Sequence, residues 1–217
     1  MGEAEVRSDD HQLIIHSSFI FYGDAATGEL SRQIAADVAD HWNEPRATVM
    51  IKKQPYRVYF DIRAICDHNL TPLSVYENTA PRNNYFRIEE HAHGNISFVD
   101  GINSNTGYFK LENLLNNSTT AAHEYGHTIG LHHPRHLDIR GKGAPGIMYP
   151  RGTLTDPEFQ YDPNIAAGLK GGTINPFTRK VFQNDIDDLH LERLQFNNEG
   201  FAILGDFTSV WHEKHLP

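Results

Sequence analysis

Cysteine is nearly missing from this 217-residue chain. Cys66 stands alone, so no internal disulfide can form and no thiolate zinc site can be assembled. Long apolar runs are also missing. No window approaches the ~20 residues of a membrane-spanning helix, and Met1-Gly2-Glu3-Ala4-Glu5-Val6-Arg7 lacks the basic start and apolar stretch of a signal peptide. The protein therefore stays inside the cell, leaves by another route, or carries a leader outside this sequence, and the residues do not decide among the three. Positive charge is in deficit, with 19 Lys and Arg against 28 Asp and Glu and a formal net charge of −9. That balance argues against nucleic acid as a partner and reads as an acidic, solvated surface. No internal repeat, low-complexity tract or linker is visible, so the length suits one sizeable domain.

Apolar residues make up 39% of the chain, including 12 Phe and 9 Tyr, which is enough for a packed core. Residues 1–10 are polar and read as loose. Leu13 to Tyr22 reads as a first strand. Leu30, Ile34, Val38 and Trp42 recur every four residues and predict a helix from about Glu29 to Trp42. Ala47 to Ile51 and Tyr56 to Ile65 read as strands. In the second, Val58, Phe60 and Ile62 alternate with Tyr59, Asp61 and Arg63, so one face is buried. Residues 67–84 read as loop. Tyr85 to Ile88 and Asn95 to Val99 suggest further strands around the His91-Ala92-His93-Gly94 turn. Residues 134–180 are rich in Gly and Pro, and a long loop of this kind is often functional. A last helix is expected over about Asn184 to Leu194.

The most informative stretch is His123-Glu124-Tyr125-Gly126-His127-Thr128-Ile129-Gly130-Leu131-His132-His133. His123 and His127 are four apart and project from one face of a helix beginning near Asn116 to Ser118, so two imidazoles can reach one metal ion. Glu124 stands beside them, where a carboxylate can take a proton from water. Gly130 can end the helix with a positive φ, and the chain can then bring His133 round as a third ligand. Three ligands with one open position describe a catalytic rather than a structural zinc. The offset from Gly130 favours His133 over His132 and His136.

The pattern His-Glu-x-x-His-x-x-Gly-x-x-His, followed by Gly146-Ile147-Met148-Tyr149-Pro150, resembles the metzincin clan of zinc endopeptidases. The turn at Met148 and the acidic run Asn184-Asp185-Ile186-Asp187-Asp188-Leu189 are most similar to matrixins, while Gly130-Leu131-His132-His133-Pro134 has some serralysin character. Pro150 stands where serralysins and astacins carry an extra Tyr ligand. The strong resemblance spans about residues 118–150. Met148 lies fifteen positions after His133, more than in matrixins, so residues 134–145 are expected to form an inserted loop.

The resemblance implies an α+β fold, with a twisted mixed five-stranded sheet, the active-site helix, the Met-turn and a C-terminal helix. It implies one catalytic domain over 1–217, with an N-terminal subdomain at about 11–130 and a C-terminal one at about 131–217. It further implies zinc on His123, His127 and His133, Glu124 as general base, Met148 as an apolar floor, a protein or peptide substrate, a monomer, and action outside the producing cell by a route the chain does not reveal. The peptide would lie along an edge strand, Asn95 to Val99 or residues 107–110, with Arg151 and Tyr161 as candidate pocket walls. Three rivals stand beside this reading: an effector protease delivered into another cell, a zinc hydrolase of cell-wall peptides, and an inactive binding protein on the same fold. His91 and His93 are weaker candidates for a second, structural zinc, and Asp100-Gly101-Ile102-Asn103-Ser104-Asn105 for calcium. Asp156, Glu158 and Asp162 read as a solvated acidic loop.

Overall fold

A computed structural model describes residues 1–216. Its frame is one mixed sheet of eight strands rather than five. In chain order the elements are β1 (Gly2–Arg7), β2 (Gln12–Tyr22), α1 (Gly28–Asn43), β3 (Thr48–Ile51), β4 (Gln54–Cys66), α2 (Pro72–Tyr76), β5 (Asn83–Glu89), β6 (Phe98–Val99), β7 (Thr106–Lys110), α3 (Thr120–Thr128), α4 (Gln183–Asp187) and β8 (Phe201–Leu204). The main path runs β3-β4-β2-β5-β7-β6. Pairings β2–β4, β2–β5 and β5–β7 are parallel, and β3 and β6 close the path as antiparallel edges. β1 pairs antiparallel with the first half of β2 and with β8.

Three strands beyond the expected five explain the higher count: β1, β8 and β7, whose residues 107–110 the sequence suggests only as an alternative edge. β1 falls in the stretch expected to be loose. Its outward charges are occupied: Glu3 pairs with Arg82, and Glu5 accepts from Arg7 while meeting His16 at 2.8 Å. Those contacts, led by Arg7, hold the Glu5 carboxyl down at about 2. β8 comes from the far end of the chain, so ladder pairing rather than apolar periodicity makes both strands.

α1 starts where Thr27 accepts a hydrogen bond from the Leu30 amide, a side-chain N-cap. Ile34, Val38 and Trp42 are buried, with Leu30 packed at the margin. β4 buries Tyr56, Val58 and Phe60 and exposes Tyr59, following the expected alternation. Trp42 meets Phe60 at 5.2 Å and Tyr125 at 5.7 Å, and Phe19 meets Tyr125 at 5.4 Å, so α1 and α3 cover one face of the sheet. The opposite face carries Ile20, Tyr22, Val75 and Tyr85, with Trp211 of the C-terminal stretch stacked on Tyr22 at 4.7 Å.

Two further expectations change. Residues 67–84 contain α2, capped by Thr71 with Pro72 in its first turn. The last helix is shorter than expected: α4 stops at Asp187, His190 takes a left-handed φ of 50°, and only a tight turn at Leu191–Arg193 follows. Among the described residues no helix is long and apolar enough to cross a membrane.

Candidate metal centre

α3 begins at Thr120, later than the Asn116 to Ser118 start read from capping residues, because Asn116 and Asn117 take positive φ of 59° and 57°. The helix is anchored from both sides. Trp42 Nε1 donates to the Ala122 carbonyl at 3.1 Å, and the fully buried Tyr125 hydroxyl meets Ser17 Oγ at 2.8 Å. Its end follows from glycine chemistry. The Leu131 amide donates to the Gly126 carbonyl at 2.9 Å and the Gly130 amide to His127 at 3.1 Å, the pair of bonds that closes a Schellman motif, with Gly130 at φ 112°. The Asn103 amide adds a bond to the His127 carbonyl at 2.8 Å.

That turn brings a third imidazole to the first two. His133 Nε2 lies 3.0 Å from His123 Nε2 and 3.0 Å from His127 Nε2, and the ligand atoms of all three lie within 4.8 Å of one another. The opposite nitrogens of the helical pair are occupied. His123 Nδ1–H donates to the Ile147 carbonyl and His127 Nδ1–H to the Leu131 carbonyl, each at 2.7 Å. In the neutral rings this leaves both Nε2 atoms as bare lone pairs facing inward. A proton on His133 Nε2 could serve only one of them well, so the set lacks a positive centre. Zinc bonded at ~2.0–2.1 Å in a tetrahedron would space its ligand nitrogens by roughly 3.4 Å, within a few tenths of what is found. The residues fit that ion.

Electrostatics favour neutral, metal-ready rings. Burial holds His123 well below its ordinary value, with smaller contributions from Arg179 and the neighbouring histidines. Burial also lowers His127, and it brings His133 down to about 4. Glu124 is buried beside the group. Burial pushes its carboxyl up to about 8, against the opposing positive charge of Arg179.

Met148 packs beneath the helix. A Cβ on Gly126 would sit 2.3 Å from Met148 Sδ, so glycine between the two histidines is what lets the methionine approach. The inserted loop is tied down rather than free. Ile139 is buried and donates its amide to the Leu154 carbonyl at 2.9 Å, and Asp156 accepts from the Gly141 amide at 2.9 Å. One member of the supposedly solvated acidic loop is therefore structural.

Other sequence candidates fall outside the centre. His132 and His136 are exposed and do not join the three-histidine group. His91 and His93 rings stand 5.8 Å apart and perpendicular, and His93 stacks instead on His215 at 4.3 Å. Among the described residues no second group of three potential ligands converges, which leaves a second zinc or a calcium at these places unsupported. Asp100 is occupied by Thr106 Oγ1 and His212, and the loop of residues 100–105 braces the end of α3 through Asn103. Residues 107–110 lie in β7, interior to the sheet, so β6 is the strand that borders the cleft.

No family model matches the chain, and no curated protein matches it. Similar solved structures include a chaperone–substrate complex (12% identity, 82% of this chain and 34% of that chain, TM-score 0.43). Myroilysin is similar at 12% identity over 88% of this chain and 100% of that chain, with a TM-score of 0.41. Archaemetzincin from Methanopyrus kandleri is similar at 12% identity over 82% of this chain and 95% of that chain, again with a TM-score of 0.41. The chain spans about a third (34%) of the length of the first of these. All three are distant overlaps, and the chemistry of the centre stands on its own residues.

Two hollows flank the histidines and share Glu124. One of about 500 Å3 runs along Ser97, Phe98, Val99 and Ile102. The other, of about 180 Å3, is walled by Thr120, Pro150, Arg151, Pro176 and Arg179. Arg151 was foreseen as a pocket wall; Tyr161 lies instead in a neighbouring depression. Arg179 was not foreseen. It belongs to no motif and lies in the Gly- and Pro-rich stretch, where only that loop's unusual length hinted at function.

Proposed function

We propose that this protein is a zinc-dependent endopeptidase of metzincin type, with His123, His127 and His133 holding the metal and Glu124 acting as general base. The observation that carries this reading is the convergence of three inward Nε2 atoms, two with their Nδ1 atoms fixed by backbone carbonyls, beside a buried carboxylate. Zinc held there would supply Lewis acidity, polarising a scissile carbonyl and acidifying water. Glu124 takes a proton from the attacking water on its carboxylate and returns it to the leaving amine. Burial raises its proton affinity toward neutrality, which suits both transfers. Met148 gives the histidines an apolar floor, and the Ile147 and Leu131 carbonyls keep the helical pair in the binding tautomer.

β6 pairs with β7 alone among the described strands, so its outer edge is free for an extended peptide to add as a further strand. The chain acts as one catalytic domain whose cleft separates a part up to about residue 130 from the remainder. It is read as a monomer working outside the producing cell. The test is metal content together with cleavage of denatured protein, with and without a chelator. Stoichiometric zinc and chelator-sensitive cleavage are expected. Absence of both would end the enzyme reading.

A further inference from the structure

Arg179 is 5% exposed, yet among the described residues its guanidinium makes no ion pair and no hydrogen bond, and its Nε is closed off without a partner. A buried cation in this condition is costly. The backbone forces the placement. The Thr119 hydroxyl donates to the Pro176 carbonyl and ties the loop to the start of α3. On the other side the Lys180 amide donates to Pro145 at 2.9 Å, bridging the strand-like pair Gly146 and Lys180. Arg179 is thereby clamped between the metal-bearing helix and the turn that carries Met148, on the wall of the 180 Å3 hollow.

The hollow has the wrong charge for an apolar specificity pocket. Arg151 stands at its wall with a 3.3 Å bond to Asn113, and Glu124 is its only acidic member among the described residues. Glu124 and Arg179 attract each other through space but make no ion pair within 4.0 Å, so the carboxylate is not locked and the guanidinium has no counter-charge in contact with it. Burial, opposed by the negative charge of Glu124, brings the Arg179 pKa down to about 10, which leaves it charged at any physiological pH. The volume holds about six water-sized groups at ~30 Å3 each, enough for a short acidic side chain.

We infer that Arg179 is a specificity-determining residue: it receives a substrate carboxylate in this hollow, so that cleavage occurs next to Asp or Glu. This rests on the endopeptidase reading above. A planar guanidinium binds a carboxylate through two parallel bonds, and the uncharged amide analogue would leave the cation buried and unpaired. A carboxylate could also come from the free end of a peptide, which would make the enzyme trim chain ends.

The test begins with the zinc-loaded protein and denatured proteins, the flanking residues of each cut being read by mass spectrometry. At least ~10-fold enrichment of Asp and Glu at one flanking position is expected, lost in Arg179→Met and partly kept in Arg179→Lys. Peptides with amidated and with free carboxyl ends separate an acidic side chain from a chain terminus as the source. A second arm needs no hydrolysis: Glu124→Gln protein is titrated calorimetrically with two blocked hexapeptides that differ only by Asp against Asn. The Asp peptide is expected to bind at least ~10-fold tighter. Cuts without acidic enrichment, or equal or absent binding of the two peptides, would overturn the proposal while chelator-sensitive cleavage left the peptidase reading standing. Should Arg179→Met fail to fold, the wild-type cut profile and the paired titration still decide.

Discussion

Among the described residues two groups of histidines stand apart, and only one is arranged to take a metal. His123, His127 and His133 converge with Nε2 atoms 3.0 Å apart. His91, His93, His212 and His215 outnumber them by one, but they stack and brace. His215 lies flat on Tyr108 at 4.0 Å, His93 on His215 at 4.3 Å, and His212 meets Asp100 at 2.8 Å. The difference lies in the second nitrogen. In the first group a carbonyl fixes Nδ1 of each helical ring and so turns a bare Nε2 inward. In the second, the Nδ1 of His215 accepts from the His93 amide, and the rings spend their faces on packing. Histidine count therefore says little about metal binding, whereas what holds the far side of each ring says a great deal.

The largest effect is expected at the first group. His127→Ala removes zinc to background by metal analysis and takes hydrolysis to the uncatalysed rate. Glu124→Ala separates the two functions: zinc content stays stoichiometric while hydrolysis falls roughly 100- to 10,000-fold. Full activity in that variant would sink the general-base role.

Next comes the support beneath the centre. Gly126→Ala drives a methyl group into Met148 and should cost about 1–3 kcal/mol in urea unfolding, because Met148 must move. An unchanged midpoint would mean that Met148 has another place to go. A smaller effect is expected at the second group. His93→Ala leaves zinc content and cleavage unchanged and lowers stability by less than ~1 kcal/mol. Loss of zinc from this variant would erase the contrast between the groups.

The smallest effect is on pH dependence. His215 is held below the ordinary value of 6.5, first by burial and then by His93, His212 and His91. A base with a lowered folded pKa binds fewer protons folded than unfolded, so its contribution is complete above 6.5 and is lost as pH falls through the folded value. The urea midpoint should therefore decline more gently on acidification in His215→Gln than in the parent. Identical slopes would remove His215 from the account.

Much of the frame was legible because its signal is local. The stripe Ile34, Val38, Trp42 and the alternation around Val58 and Phe60 are burial patterns with a fixed period. β1 was not legible, because Glu3, Glu5 and Arg7 carry no apolar pattern and are held by partners at Arg82 and His16. The broken last helix was hidden as well: Ile186, Leu189 and Leu194 keep an apolar pattern across His190, where the backbone turns left-handed.

Sequence by itself determined that two imidazoles share one helical face with a carboxylate beside them and that the helix stops at Gly130, since both follow from the period of a helix and the conformational freedom of glycine. Tertiary structure decided the rest. It decided that carbonyls of Ile147 and Leu131 turn the helical rings inward, and that Arg179 reaches a site 55 residues away from Glu124 in the chain. Those outcomes depend on hydrogen bonds and desolvation between distant segments, and no local periodicity encodes them.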